Sequence, residues 1–289
     1  MKQTVVTVAS PSGGVGKSTI SKELAVAFSQ TKINGSNIKT CIVEVNLDFG
    51  SQIFFFDVAP KYNIMDWVED YRERRQTMSA EELGEFYGEW RNIEKYLTYI
   101  PLLSLYLLPA PSDGYEYDIS LEELSAILYY LKYFFDALVV DTANNFSEVT
   151  LAAIKLADVP LVVLNDDYKT IVSAARLRNY IRELEGNLPE GHRSLLSRLQ
   201  AVVNKYPVNE EDRIYSIADL RRTSHMEIVA VLPNEPSAWA SNNIQMPIIF
   251  KAPKKKGLFQ KDASLRTSLL RLAQRLVPEV DPDSFRQEQ

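Results

Sequence analysis

The sequence predicts an α/β fold: a doubly wound, mainly parallel sheet with a helical excursion after its second main strand. Three observations predict it. Short β-branched runs alternate with helical patterns along most of the 289 residues, a glycine-rich turn joins the first run to the first helix, and residues 60–100 interrupt the alternation. The strand candidates are 4–9, 39–46, 103–108, 137–141, 160–165, 199–204 and 228–232. After Lys17, residues Ile20, Leu24, Ala25 and Phe28 recur at helical spacing. Ser120 followed by Glu123 forms a capping box, with Leu124, Ile127, Leu128 and Leu131 as the buried stripe of the helix it opens. Another helix spans about 171–185 and stops at Gly186, a natural residue just past a helix end.

Composition narrows the function classes. The chain carries 32 Lys/Arg against 38 Asp/Glu, a net charge of −6, which argues against a surface coated for nucleic acid. Cys41 is the single cysteine, so an intrachain disulfide and a multi-thiolate metal site are excluded, as suits a reducing compartment. The opening MKQTVVTVAS reads as a buried strand, not a signal peptide, and no run approaches about 18 apolar residues. The expectation is a soluble, cytoplasmic protein with one domain over 1–278 and an acidic tail over 279–289. His192 and His225 stand alone and are assigned to neither metal nor catalysis.

Two stretches depart from the rhythm. The 60–100 excursion carries a capping box at Ser79 and Glu82 and the aromatics Trp67, Phe86, Tyr87, Trp90 and Tyr96. Within it, residues 66–94 hold nine Asp/Glu against four Arg. A helical cap folded against the domain is the favoured reading, and a partner-docking surface the alternative. From 251 to 275, eight Lys/Arg face one Asp. Over 251–261 a solvated basic loop is favoured, and weak contact with an anionic membrane or an acidic partner is the alternative. The helix after it places Leu265, Leu269, Leu272 and Leu276 on one stripe beside Arg266, Arg271 and Arg275, a pattern that packs onto a domain.

The chemistry is carried by SPSGGVGKST (10–19), which follows the first strand and opens the first helix. Strand before and helix after are what turn a glycine-rich string into a phosphate site. Gly13, Gly14 and Gly16 open backbone torsions that let successive N–H groups converge on phosphate oxygens, and Val15 lies among them. The helix start adds partial positive charge, Lys17 a full one, and the Ser18 hydroxyl a ligand for Mg²⁺. A metal-facing carboxylate is expected at the tip of a buried strand, and FDALVVDTANN (135–145) supplies Asp141.

GGVGKST, CIVEVNLDFGSQ (41–52), ALVVDT and FSEVTLAAIKLADVPLVVL (146–164) together resemble the ParA/MinD group of P-loop ATPases, the deviant Walker A class. The LDFGSQ phrase, the excursion returning through LLSLYLLPAPSD (102–113) and the TLAAIKLAD helix are similar to the TadZ/CpaE branch, which positions tight-adherence pilus machinery. The resemblance implies ATP and Mg²⁺ as cofactors, held by Ser12 through Thr19 (Gly13, Gly14, Val15, Gly16, Lys17 and Ser18 between them), with Asp141 supporting the metal through water. It places adenine against Asn204 and the backbone near Pro233, with ASNNIQMP (240–247) as the last nucleotide-side loop. For Asn204, a polar strand end capping a turn is the equal alternative. The resemblance also implies an ATP-dependent homodimer and a pilus or secretion protein as partner.

Two departures from that pattern bear on turnover. Relatives carry a second, signature lysine early in the loop; here that position is Ser12. Their second strand usually ends Asp-x-Asp, and here the positions are Glu44 and Asn46. Asn46 can hold a water but cannot take its proton, and loss of such a group costs about 10²–10⁴-fold in rate. Asp48 could substitute if the strand end is offset, although a solvent-facing role is favoured. The sequence therefore predicts firm nucleotide binding with slow hydrolysis, in a positioning or assembly factor that is cytoplasmic or peripheral at the inner membrane face. A DNA-partition ATPase is the first alternative. A ligase of the dethiobiotin-synthetase kind is the second, and no substrate cluster supports it.

Overall fold

The computed structural model describes residues 3–47, 50–112, 117–145, 147–186, 194–236, 246–250 and 264–285. Its strands are β1 (Thr4–Ala9), β2 (Lys32–Ile33), β3 (Ser36–Asn37), β4 (Thr40–Val45), β5 (Thr98–Ile100), β6 (Leu105–Leu108), β7 (Ala137–Thr142), β8 (Val159–Leu164), β9 (Gln200–Tyr206) and β10 (Glu227–Pro233). Eight of them form one sheet in the order β10-β9-β8-β1-β7-β4-β6-β5, and β2 and β3 form a separate hairpin. All seven predicted strands are present. Every pairing in the large sheet is parallel except β5 with β6. The edge strand β5 escaped the sequence reading because three residues ended by Pro101 are too short to show a period.

The helices of the first half are α1 (Lys17–Ser29), α2 (Gln52–Phe56), α3 (Ile64–Arg75), α4 (Ala80–Tyr87), α5 (Trp90–Ile93) and α6 (Leu121–Leu131). Those of the second half are α7 (Glu148–Leu156), α8 (Tyr168–Glu185), α9 (Leu195–Arg198), α10 (Ile217–Ser224) and α11 (Leu265–Leu276). Strand alternation sorts the core into layers. Val6, Val8, Ile42, Val139 and Val163 join Ile20, Leu24 and Phe28 of α1 and Leu265, Leu269 and Leu272 of α11 on one face. Val5, Cys41, Val43, Leu138 and Val140 face the other way, onto α3, α6 and α7. Continuously apolar strands covered on both sides are what a parallel sheet requires.

Helix α1 is buried almost all round, beyond the one stripe predicted for it. Lys22 and Glu23 form a fully buried ion pair at 3.2 Å, and the Glu23 carboxylate accepts the N–H groups of Ile248 and Ile249 at 2.9 and 3.1 Å. Pairing together with these hydrogen bonds is what makes two buried charges tolerable. Helix α11 packs on α1 as the leucine stripe predicts, but Arg266 lies inside: its guanidinium donates to the carbonyls of Ile249 and Phe285. Val280 and Phe285, in the acidic tail, are buried in the same core. Helix α8 begins at Tyr168, capped by Asp167, and Gly186 closes it at φ −58 in right-handed geometry. His225 is an exposed helix end in left-handed geometry.

The excursion folds inward. Trp67 and Tyr96 stack at 5.2 Å, both fully buried beside Tyr87, while Glu69, Glu73, Glu81, Glu82, Glu85 and Glu89 face solvent. Asp70 anchors this cluster, accepting the Tyr87 hydroxyl at 2.7 Å and Arg74 at 2.9 Å. The cap is tied to the sheet layer by Arg72 of α3, whose guanidinium reaches Glu123 of α6 at 2.6 and 3.0 Å. Glu123 also completes the predicted capping box with Ser120. The Arg72 guanidinium holds the Glu123 carboxyl below its ordinary value of 4.5. Such a group contributes stability present above the unfolded value and lost as pH falls through the lower folded one. Glu123→Gln should therefore cost about 1–2 kcal/mol near pH 7. In urea melts the gap between variant and wild type should close as pH falls below 4.5.

Candidate nucleotide site

The glycine-rich turn sits between the carboxyl end of β1 and the amino end of α1, at the centre of the sheet. Gly14 and Gly16 adopt φ +72 and +98, torsions that residues with a side chain rarely adopt. Space adds to torsion at Gly16, where a Cβ would lie 2.3 Å from the buried Asn204 amide; at Gly13 it would lie 2.7 Å from the exposed Asn144 amide, which could swing aside. Val15 is buried, Ser18 and Thr19 are half-buried, and Lys17 is buried at the first residue of α1. Burial lowers the Lys17 pKa, and the charge of Asp141 opposes that shift.

Asp141 lies near the end of β7, fully buried. Its Oδ1 accepts from the Ser21 hydroxyl at 3.2 Å and its Oδ2 from the Gln52 amide at 2.8 Å. Burial raises its pKa, against the hydrogen bonds of Gln52, Ser18 and Ser21 and the charge of Lys17. The predicted loop lysine, hydroxyl and strand-tip carboxylate therefore converge although they are some 120 residues apart in sequence. A buried carboxylate beside a hydroxyl is a hard oxygen donor set suited to Mg²⁺. Ser12 Oγ and Gln52 Oε1 are buried without a hydrogen-bond partner, so this pocket has polar capacity for a ligand. Gly13 to Thr19 could hold phosphate and Ser18 with Asp141 a divalent cation, whose chemistry would be to neutralise phosphate charge.

Asn204 lies within β9, buried beside the loop. Its amide donates to the Val15 carbonyl at 2.7 Å, so strand β9 braces the loop from the side. Together with Pro233 and Gly16 it also lines a small cleft that includes Thr19, Ile20, Leu232 and Leu265. Lys205, which the sequence reading passed over, donates to the Gly14 carbonyl at 2.7 Å from a backbone at φ +53. Its signal was position alone, one residue after Asn204.

Glu44 pairs in register with Asp141 on the neighbouring strand. Its buried carboxylate accepts the Gln52 N–H at 3.0 Å, the Ala110 N–H at 3.3 Å and the Ser51 N–H and hydroxyl. Burial and the Asp141 charge push its pKa up to about 7, against those backbone donors. Glu44 is thus committed to holding the 50–52 turn. Asn46 lies one residue beyond β4, half-buried at the carboxyl edge of the sheet. Asp48, most of the 240–247 loop, the basic segment 251–261 and His192 lie outside the described residues.

A model of the CobQ/CobB/MinD/ParA nucleotide binding domain matches residues 6–248. The chain belongs to this family. Among MinD relatives, the septum site-determining protein MinD of Thermotoga maritima is 22% identical over 248 residues, covering 84% of this chain and 80% of its own. The ParA family ATPase of Chlorobium tepidum TLS superposes with a TM-score of 0.69 at 19% identity, over 94% of this chain and 98% of its own. MinD from Pyrococcus horikoshii OT3, solved with Mg-ADP, superposes with a TM-score of 0.65 at 14% identity, over 96% of both chains. The fold of these ParA and MinD proteins thus extends across nearly the whole chain.

Proposed function

We propose that this MinD/ParA-family protein binds ATP with Mg²⁺ on the 12–19 loop, hydrolyses it slowly, and acts as a nucleotide-switched positioning factor. The single observation that carries this reading is the convergence of Lys17, Ser18 and Asp141 beneath a loop whose Gly14 and Gly16 hold positive φ. In this reading Thr19, Asn204 and Pro233 border the adenine, since they line the cleft next to the loop. A face for self-association is supported by Phe54, Tyr168, Val208 and Ile214. Each is 67–69% exposed, and each follows the carboxyl end of a sheet strand, the side on which the loop lies.

The finer assignment, to tight-adherence pilus or secretion machinery, rests on the LDFGSQ phrase and on the excursion with its acidic outer face as the partner-facing element. Among the described residues no helix is long and apolar enough to cross a membrane. Any membrane contact in this reading is peripheral, through 251–261. Light scattering on size-exclusion fractions should show the mass doubling with ATP and Mg²⁺ and remaining monomeric without nucleotide. An unchanged mass would remove the dimer. In cells, a fluorescent fusion should form foci together with the pilus base; a fusion spread over the nucleoid would instead favour the DNA-partition reading.

A further inference from the structure

Gln52 is fully buried at the first residue of α2, and its amide points into the site described above. Its Nε2 donates to Asp141 Oδ2 at 2.8 Å and to the Ser18 carbonyl at 3.1 Å, while its Oε1 has no partner. An amide whose donor end is fully used and whose acceptor end is orphaned has been oriented by its two acceptors, the Asp141 carboxylate and the Ser18 carbonyl. The backbone beneath it is clamped. Ser51 and Gln52 donate to Glu44, Gly50 donates to Pro111 O at 3.3 Å, and a Cβ on Gly50 would meet Ala110 O at 3.1 Å. The side chain can therefore leave Asp141 only by turning its own amide, a broad two-fold torsion that costs little.

We propose that Gln52 is a placeholder for the divalent cation: its amide N–H occupies the Asp141 oxygen that the cation or its bound water would use, and cation arrival displaces it. The buried carboxylate needs donors on both oxygens. Ser21 serves Oδ1 and the Lys17 charge lies nearby, while the Gln52 amide hydrogens serve Oδ2, where a cation would repel them. Displacement removes the contacts of α2 with Asp141 and Ser18, and α2 carries Phe54, 68% exposed, and Phe55, which lies under the Lys22 ammonium at 5.2 Å. Cation occupancy is thereby reported at the surface that the proposed dimer face includes.

This inference rests on Mg²⁺-nucleotide binding at the loop and is tested separately from it. Titration of Mg²⁺ into the ADP-loaded protein by calorimetry compares wild type with Gln52→Met, which keeps the volume and loses the donor, and Gln52→Glu, which adds charge. Both variants should bind Mg²⁺ about tenfold more tightly, because the competing hydrogen bond to a charged acceptor is gone. Both should also melt at lower temperature without ligand. A purely structural role for Gln52 would weaken Mg²⁺ binding instead. Hydrogen exchange over 51–56 should speed up in the wild type when Mg²⁺ is added to the ADP complex, and should be fast already in Gln52→Met. Equal or weaker Mg²⁺ binding in both variants, or exchange over 51–56 that ignores Mg²⁺, would overturn the placeholder alone. No ADP binding to any of the three proteins would overturn the nucleotide reading along with it.

Discussion

Lys17→Ala should abolish measurable ATP binding, an affinity loss of at least about 10²-fold. The ammonium is buried at the amino end of α1, where it would meet the outer phosphates with little competition from water. Hydrogen bonds to charged groups contribute roughly 1.5–3 kcal/mol each, and this group would make more than one. Lys205, the other cation beside the loop, is held on the Gly14 carbonyl and sits behind the backbone that would cradle the phosphates. It is not placed to take over. Alanine also leaves Asp141 buried without its nearest positive charge, so the apo protein should lose some stability. Calorimetry with ATP and Mg²⁺ reads the binding, and circular dichroism confirms the fold. Unchanged affinity in a folded variant would sink the nucleotide assignment.

Asn46→Asp should raise the steady-state ATPase rate, by about 10²-fold or more, from a very slow wild-type level. The substitution changes an amide into a carboxylate of nearly the same shape, so packing is preserved and charge is what changes. Asn46 sits half-buried just past β4, on the same edge of the sheet as the loop and next to the strand that carries Asp141. Glu44 cannot supply the missing carboxylate, because its oxygens are engaged by the 50–52 turn and by Ala110. A phosphate-release assay on both proteins decides the matter. Brisk wild-type turnover, unmoved by substitution at Asn46, would show that the catalytic strand end has been misassigned.

The sequence by itself determined seven of the eight strands of the main sheet and the loop, for a local reason. Buried parallel strands are continuous apolar runs, and a phosphate loop needs glycine, lysine and hydroxyl in adjacent positions, so both are written in contiguous residues. The capping boxes at Ser79 and Ser120 are legible in the same way. What only the tertiary structure decided are contacts between residues far apart in the chain. Gln52 meets Asp141 across 89 residues, Asn204 meets Val15 across 189, and Glu23 holds Ile248 across 225. Gln52 ends the LDFGSQ phrase and Lys205 follows Asn204, but neither context reveals a partner, because an amide or an ammonium acquires its role from the acceptor that the fold brings to it. The burial of Arg266 was decided in the same way, by the carbonyls of Ile249 and Phe285 that arrive to receive its guanidinium.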